Sequence, residues 1–287
     1  MLLIVGALTV MVCVLGGYAA GNGHLGVLVS EPFEFVIILG AAIGAYVISN
    51  PMPVLKQTSH GFKMAFRGPK YSKDSYLELL SLLYTIFRLA RTKGLLQLEQ
   101  HVEHPEESAL FKQFPSVSSD EHSMTFLCDY LRLITLGTDN SIELEQLMDA
   151  ELETHETESG RLHHAIQAVA DGLPALGIVA AVLGVIKTMG SITEPPEVLG
   201  HMIGGALVGT FFGVWMSYGF VAPLGAAIKA THEAEGRYLH CMKAGLLAHV
   251  QGYPPSVSIE FARKALMSDV RPTFYEVEQA VGRLVQN

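Results

Sequence analysis

The stretch Leu173-Pro-Ala-Leu-Gly-Ile-Val-Ala-Ala-Val-Leu-Gly-Val-Ile-Lys-Thr-Met189 decides the fold class. Lys187 is its one charge, and at roughly 1.5 Å of rise per residue it crosses most of a hydrocarbon core about 30 Å thick. Leu2 to Ala20, Phe33 to Ser49 and Met202 to Leu224 have the same character. The four runs fall into two pairs with a polar block between them. The chain therefore reads as an all-α polytopic membrane protein, with four transmembrane helices and a cytoplasmic helical domain. The runs are expected to present no carboxylate to the membrane interior. A proton or cation moved along them must then ride on another polypeptide's carboxylate or on a neutral group.

Composition agrees. Hydrophobic residues make up 49% of 287 positions, mean hydropathy is +0.33 and charged residues are 16%, above soluble averages in apolar content and below them in charge. The acidic excess sits in the polar block, with 11 Lys and Arg against 18 Asp and Glu between residues 51 and 171. Phosphate contacts need clustered basic residues, so nucleic acid is excluded as a partner. Cys13, Cys128 and Cys241 are far apart, follow no metal spacing and read as small apolar fillers in a reducing setting. Leu2 to Ala20 lacks a basic leader and is followed at once by a second span, so it reads as an uncleaved helix rather than a signal peptide.

Lys56, Lys63, Arg67, Lys70 and Lys73 follow the second run, whereas the connection from Gly21 to Pro32 carries Glu31 and no basic residue. Basic residues mark the cytoplasmic side. This sets both termini on the cytoplasmic side and leaves two short loops outside, the second being Ser191 to Gly200. Four regions result: transmembrane helices at 1–50, a cytoplasmic helical domain at 51–171, transmembrane helices at 172–224 and C-terminal cytoplasmic helices at 225–287.

Within the polar block, apolar residues recur at helical spacing from Asp74 to Glu103, predicting one or two helices that Pro105 stops. Another helix is expected from Met124 to about Gly137. Asp139, Asn140 and Ser141 are suited to cap a further helix running toward the third span. A helix leaves the membrane after Leu224 and ends at Gly252-Tyr-Pro-Pro255. Two shorter helices follow, around Ile259 to Met267 and from Thr273, with Pro272 at a first-turn position.

Gly205, Gly209 and Gly213 in the fourth run, and Gly40 with Gly44 in the second, recur at a spacing that lets backbones approach closely. Internal packing, a subunit interface and a pore lining all fit them. Pro174 and Pro223 each lack an N–H and leave the carbonyls of Ala170 and Gly219 without the usual helical donor. For Pro174 a helix start is the alternative. Thr210 is expected to bond back to its own helix or to face a pore. Trp215 and Tyr218 read as helix-packing aromatics.

The order of elements, together with Arg91-Thr-Lys-Gly94-Leu-Leu-Gln-Leu-Glu99, Asp171-Gly-Leu-Pro174 through Ala181, Gly209-Thr210 through Pro223 and Gly252-Tyr-Pro-Pro through Lys264, resembles the MotA family of flagellar motor stator proteins. The resemblance covers nearly the whole chain. It implies an ion-driven torque generator, a homopentamer around two copies of MotB whose transmembrane aspartate carries the proton. It assigns ion coupling to Pro174, Pro223 and Thr210, and contact with the rotor switch protein FliG to Arg91 and Glu99. Eight residues on one helix rotate by about 80°, so both charges can face one partner unless Gly94 interrupts the helix. Sodium-driven relatives carry a threonine where this chain has Ala181, and a methyl cannot ligate sodium, so protons are expected. No cofactor is implied.

Three other readings fit parts of the sequence: an ExbB or TolQ type of energy-transducing subunit, a non-conducting membrane scaffold, and an enzyme using His101 and His104 beside Glu99 and Glu103, or His163 and His164. The ExbB and TolQ group generally has three spans. The histidines lack a convergent third ligand, so the chain is not read as an enzyme.

Overall fold

A computed structural model describes residues 2–29 and 32–286. Glu31, used above to read the first connection, lies outside them. Besides short helical turns at Leu25–Val29, Phe111–Gln113 and Pro115–Ser118, the helices along the chain are α1 (Leu2–Ala20, with a π-helical turn at Val12–Gly16), α2 (Pro32–Ser49), α3 (Met52–Arg67), α4 (Lys73–Lys93), α5 (Leu95–Glu103), α6 (Glu121–Thr135), α7 (Ser141–Met189), α8 (Pro196–Met216), α9 (Ala222–Val250), α10 (Pro255–Lys264) and α11 (Phe274–Gln286). A π-helical turn, Ser217–Val221, joins α8 to α9, and among the described residues there is no strand. Four helical stretches are long and apolar enough to cross a membrane.

The chain divides into two compact units, 1–68 with 158–231 and 69–157 with 232–287. These boundaries differ from those read at 50, 171 and 224. α3 and residues 158–171 belong with the apolar helices, because Val54 and Ala65 pack with Leu162, Ala165, Ile166 and Ile228 in one core cluster. The amphipathic α3 is an addition to the helices expected from sequence. Lys56, Lys63 and Arg67 are exposed on one side, while the opposite side buries Val54, Gly61 and Ala65.

The second unit has one contiguous apolar core. Tyr76, Leu79, Leu80, Leu83, Ile86 and Phe87 of α4 pack with Phe126, Leu127 and Leu131 of α6 and with Tyr238, Met242 and Leu246 of α9. Burying each such large side chain contributes about 1.5–3 kcal/mol. Ser72 accepts from the Ser75 N–H at 3.3 Å to start α4. Gly94 ends it at φ +85°, a conformation that glycine adopts without steric cost. The span from Asp74 to Glu103 is therefore two helices. Asn140 supplies the expected cap for α7, its Oδ1 accepting from the Ile142 N–H at 3.1 Å. Pro272 does not sit in the first turn of α11. Thr273 caps that helix instead, with Glu276 accepting the Thr273 N–H at 2.6 Å and Thr273 accepting the Glu276 N–H at 3.3 Å.

The second apolar run, expected to present no carboxylate to the membrane interior, does carry one. Glu34 is the third residue of α2 and is 6% exposed.

Candidate functional site

The site is built where α7 and α8 touch backbone to backbone. A Cβ placed on Gly177 meets the Gly209 carbonyl oxygen at 2.8 Å and Thr210 Cα at 3.3 Å; one placed on Gly213 meets the Leu173 carbonyl oxygen at 2.6 Å and Gly177 Cα at 2.9 Å. No side chain fits at either position. A Cβ on Gly209 meets Ala180 Cβ at 3.0 Å and the Ala181 nitrogen at 3.4 Å. Thus Gly209 and Gly213 serve internal packing, whereas a Cβ on Gly40 or Gly44 would meet nothing within 4 Å among the described residues.

Pro174, Ala181 and Thr210 are strung along this crossing rather than gathered at one point: Leu173, next to Pro174, backs onto Gly213, Gly177 onto Thr210, and Ala181 onto Gly209. Pro174 stands inside the 49-residue α7, so it does not start a helix. The carbonyl it frees, that of Ala170, is not left without a donor: the buried Ser217 hydroxyl donates to it at 2.5 Å. Side-chain hydroxyls satisfy such freed groups where water is absent. Ser217 opens the π-helical turn that ends at Val221, two residues before Pro223. The helical ladder is thus re-registered around Gly219, and the chain continues as helix into α9 rather than stopping. Pro223 itself is exposed, a turn and a half beyond Ser217.

Thr188 and Thr231 return their hydroxyls to the carbonyls four residues earlier at 2.9 Å, those of Gly184 and Ala227. Among the described residues Thr210 makes no such bond, so the expectation of back-bonding fails. Its half-buried hydroxyl keeps its hydrogen-bonding capacity. Trp215 packs between Phe211 and Phe220, with ring centroids 5.6 and 5.4 Å away. Tyr218, expected to pack likewise, is 70% exposed within the chain.

Residues 4–94 match the family description "Motility protein A N-terminal", and residues 119–239 match "MotA/TolQ/ExbB proton channel family". Motility protein A of Salmonella typhimurium is 42% identical over 287 residues, covering 100% of this chain and 97% of the relative. The chain belongs to the motility protein A family. Motility protein A of Escherichia coli K12 shows the same identity and coverage. The chemotaxis protein LafT of Vibrio parahaemolyticus is 37% identical over 96% of both chains. A solved structure described as the flagellar MotAB stator complex from Bacillus subtilis superposes with TM-score 0.73 at 25% identity, covering 92% of this chain and 94% of that one. A structure of C. jejuni MotAB gives 0.76 at 20% identity, covering 93% of this chain and 96% of that one, which bears on the fold alone.

Arg91 and Glu99 are both exposed, but Gly94 places them on separate helices, so the 80° argument for a shared face does not apply. Elsewhere in the same unit, Asp120 gathers a cluster that sequence reading missed. Tyr71 donates to it, Ser123 donates at 2.8 Å and the Lys70 ammonium lies at 2.9 Å. Burial pushes the Asp120 carboxyl up, yet the hydrogen bonds from Tyr71, Lys70 and Ser123 outweigh that and hold it below its ordinary value. The Tyr71 ring stacks on Tyr238 at 3.8 Å. The histidines weighed as metal ligands have other bonds: His101 Nδ1 lies 2.9 Å from the Ser108 hydroxyl, and His163 Nδ1 lies 3.0 Å from the Gly225 carbonyl.

Proposed function

We propose that this chain is the stator subunit of a bacterial flagellar motor, five copies surrounding two copies of a MotB-type partner and converting proton flow into torque. The observation that carries this is the α7–α8 crossing. Pro174 breaks the backbone ladder there, Ser217 holds the freed Ala170 carbonyl, and Thr210 retains an unused hydroxyl. The runs 173–189 and 202–224 hold no Asp or Glu. Past the turn that Glu34 reaches at Gly209, from Thr210 toward Pro174, the proton then rides on a carboxylate from outside the chain, the partner's transmembrane aspartate. Protonation removes a charge facing the crossing and shifts the balance between two arrangements of the helices around Pro174 and Pro223.

In this reading Lys56, Lys63 and Arg67 of α3 hold the polar side in the cytoplasm, and both termini lie on the cytoplasmic side of the bacterial inner membrane. Arg91 and Glu99 face FliG on the rotor. Exposed charges add little stability, so their role is to steer and orient an oppositely charged surface. Ala181 favours protons over sodium.

Replacing Pro174 by alanine restores an N–H that competes with Ser217 for the Ala170 carbonyl. Cells carrying Pro174→Ala or Pro223→Ala with the partner gene are expected to assemble the complex and not swim. Normal swimming speed in both overturns the coupling role. At fixed proton-motive force, speed is expected to be independent of the sodium gradient, and a strong sodium dependence overturns the use of Ala181.

A further inference from the structure

Glu34 is the one carboxylate that the described structure buries within an apolar run. It is 6% exposed, near the end of α2 that carries the first short connection. Its neighbours are unusually close. A Cβ on Gly184 would meet Glu34 Oε1 at 3.3 Å, and a Cβ on Gly209 would meet Oε2 at 3.0 Å. Glycine on both α7 and α8 thus makes room for this side chain.

The carboxylate also borders a cavity of about 160 Å³, shared with Lys187 and Thr188 of α7 and with Met202 and Ala206 of α8. That volume holds several waters. Lys187 is the other charged group among the described residues lining it; α8 contributes no titratable group there. Thr188 turns its hydroxyl back to the Gly184 carbonyl at 2.9 Å.

We infer that Glu34 is a proton-accepting site supplied by this chain itself. It takes up a proton from the cavity beside Lys187 and releases it toward the turn of α8 that carries Gly209 and Thr210. The step is a protonation of carboxylate to carboxylic acid and its reversal, with no other bond changed. Three features support it. A charge buried in a membrane is costly and marks an ion path. The cavity lies at the short-loop end of the helices and is large enough for water. The carboxyl oxygen reaches the residue that precedes Thr210, so one group bridges the wet cavity and the α7–α8 crossing.

This rests on the stator reading, because it gives the chain's own carboxylate a place in the same proton path. The test uses the full complex with its MotB-type partner, reconstituted in vesicles with a pH gradient. Glu34→Gln is isosteric and cannot accept a proton as the carboxylate does. It is expected to assemble and to lower proton flux by about 10²-fold, the lower end of what a positioned proton-transfer group contributes. Infrared difference spectra between two pH values are expected to lose one carboxyl C=O band in this variant. Glu34→Asp retains the titrating group and is expected to keep flux with a shifted pH profile.

Unchanged flux in assembled Glu34→Gln, or a carboxyl band that persists in it, overturns the inference while leaving the stator reading in place. If Glu34→Gln does not assemble, Glu34→Asp decides, and a pH profile identical to that of the native complex overturns the inference. A native complex that passes no protons overturns both.

Discussion

The Ser217 hydroxyl donates at 2.5 Å to the carbonyl of Ala170, the group that Pro174 deprives of its helical donor. A residue 47 positions along the chain therefore completes the broken ladder of α7. It does so from the first position of a π-helical turn, where α8's own hydrogen bonding is already rearranged. The two irregularities are coupled by one hydrogen bond.

Ser217→Ala is expected to leave a buried carbonyl unsatisfied, at a cost of about 1–3 kcal/mol. Swimming should slow sharply, and Ser217→Thr, which keeps the hydroxyl, should recover part of it. The check is swimming speed beside the amount of complex recovered with its partner. Full speed in Ser217→Ala contradicts a role for this bond.

Gly213→Ala drives a Cβ into the Leu173 carbonyl and the Gly177 backbone, neither of which can yield like a flexible side chain. Overpacking of this kind costs about 1–3 kcal/mol. Loss of motility is expected, with the melting temperature of the purified complex lowered. Gly204→Ala on the same helix meets nothing within 4 Å and should leave the melting temperature of the chain's own fold unchanged.

Asp120 gives a pH prediction. Its folded-state carboxyl titrates below the ordinary 3.8, so the stability it contributes is fully present above that pH and is lost as pH falls below it. Asp120→Asn should remove that contribution at neutral pH, about 1.5–3 kcal/mol for hydrogen bonds to a charged group, and flatten the acid dependence. Hydrogen exchange of α4 and α6 against pH reads this directly. Identical acid profiles for native protein and Asp120→Asn contradict it.

Charge reversal at Arg91 should leave the complex assembled and impair motility, with partial rescue by a compensating reversal on the rotor. Because the charge is exposed, the effect should appear in rotor engagement and not in stability. A changed melting temperature without a change in motility contradicts the assignment.

Much of the architecture was legible because lipid imposes strong rules. Apolar runs as long as Leu2 to Ala20 and Leu173 to Met189 are rare in soluble domains, and the cap at Asn140 and the break at Gly94 carry local signals. Residues joined by tertiary contact were harder to read. Nothing around Ser217 points to Ala170, and the general rule that hydroxyls repair proline-broken helices does not name the hydroxyl. Gly177 lies in no repeat with Gly209 and Gly213, since the pattern that matters runs between helices. Asp120 meets Ser123 locally but joins Tyr71 and Lys70, some 50 residues earlier, only in the packed fold. Glu34 was legible. It stands second in the run Phe33 to Ser49, where a carboxylate is costly and therefore informative, contrary to the expectation of a carboxylate-free run. The proposal of a partner aspartate rests instead on the apolar runs 173–189 and 202–224, which hold no Asp or Glu.

The most direct measurement is proton flux into vesicles containing this chain alone or this chain with its MotB-type partner, at equal protein density. The account predicts flux only with the partner, abolished when the partner's transmembrane aspartate is replaced by asparagine. Brisk, selective flux through the chain alone would contradict it.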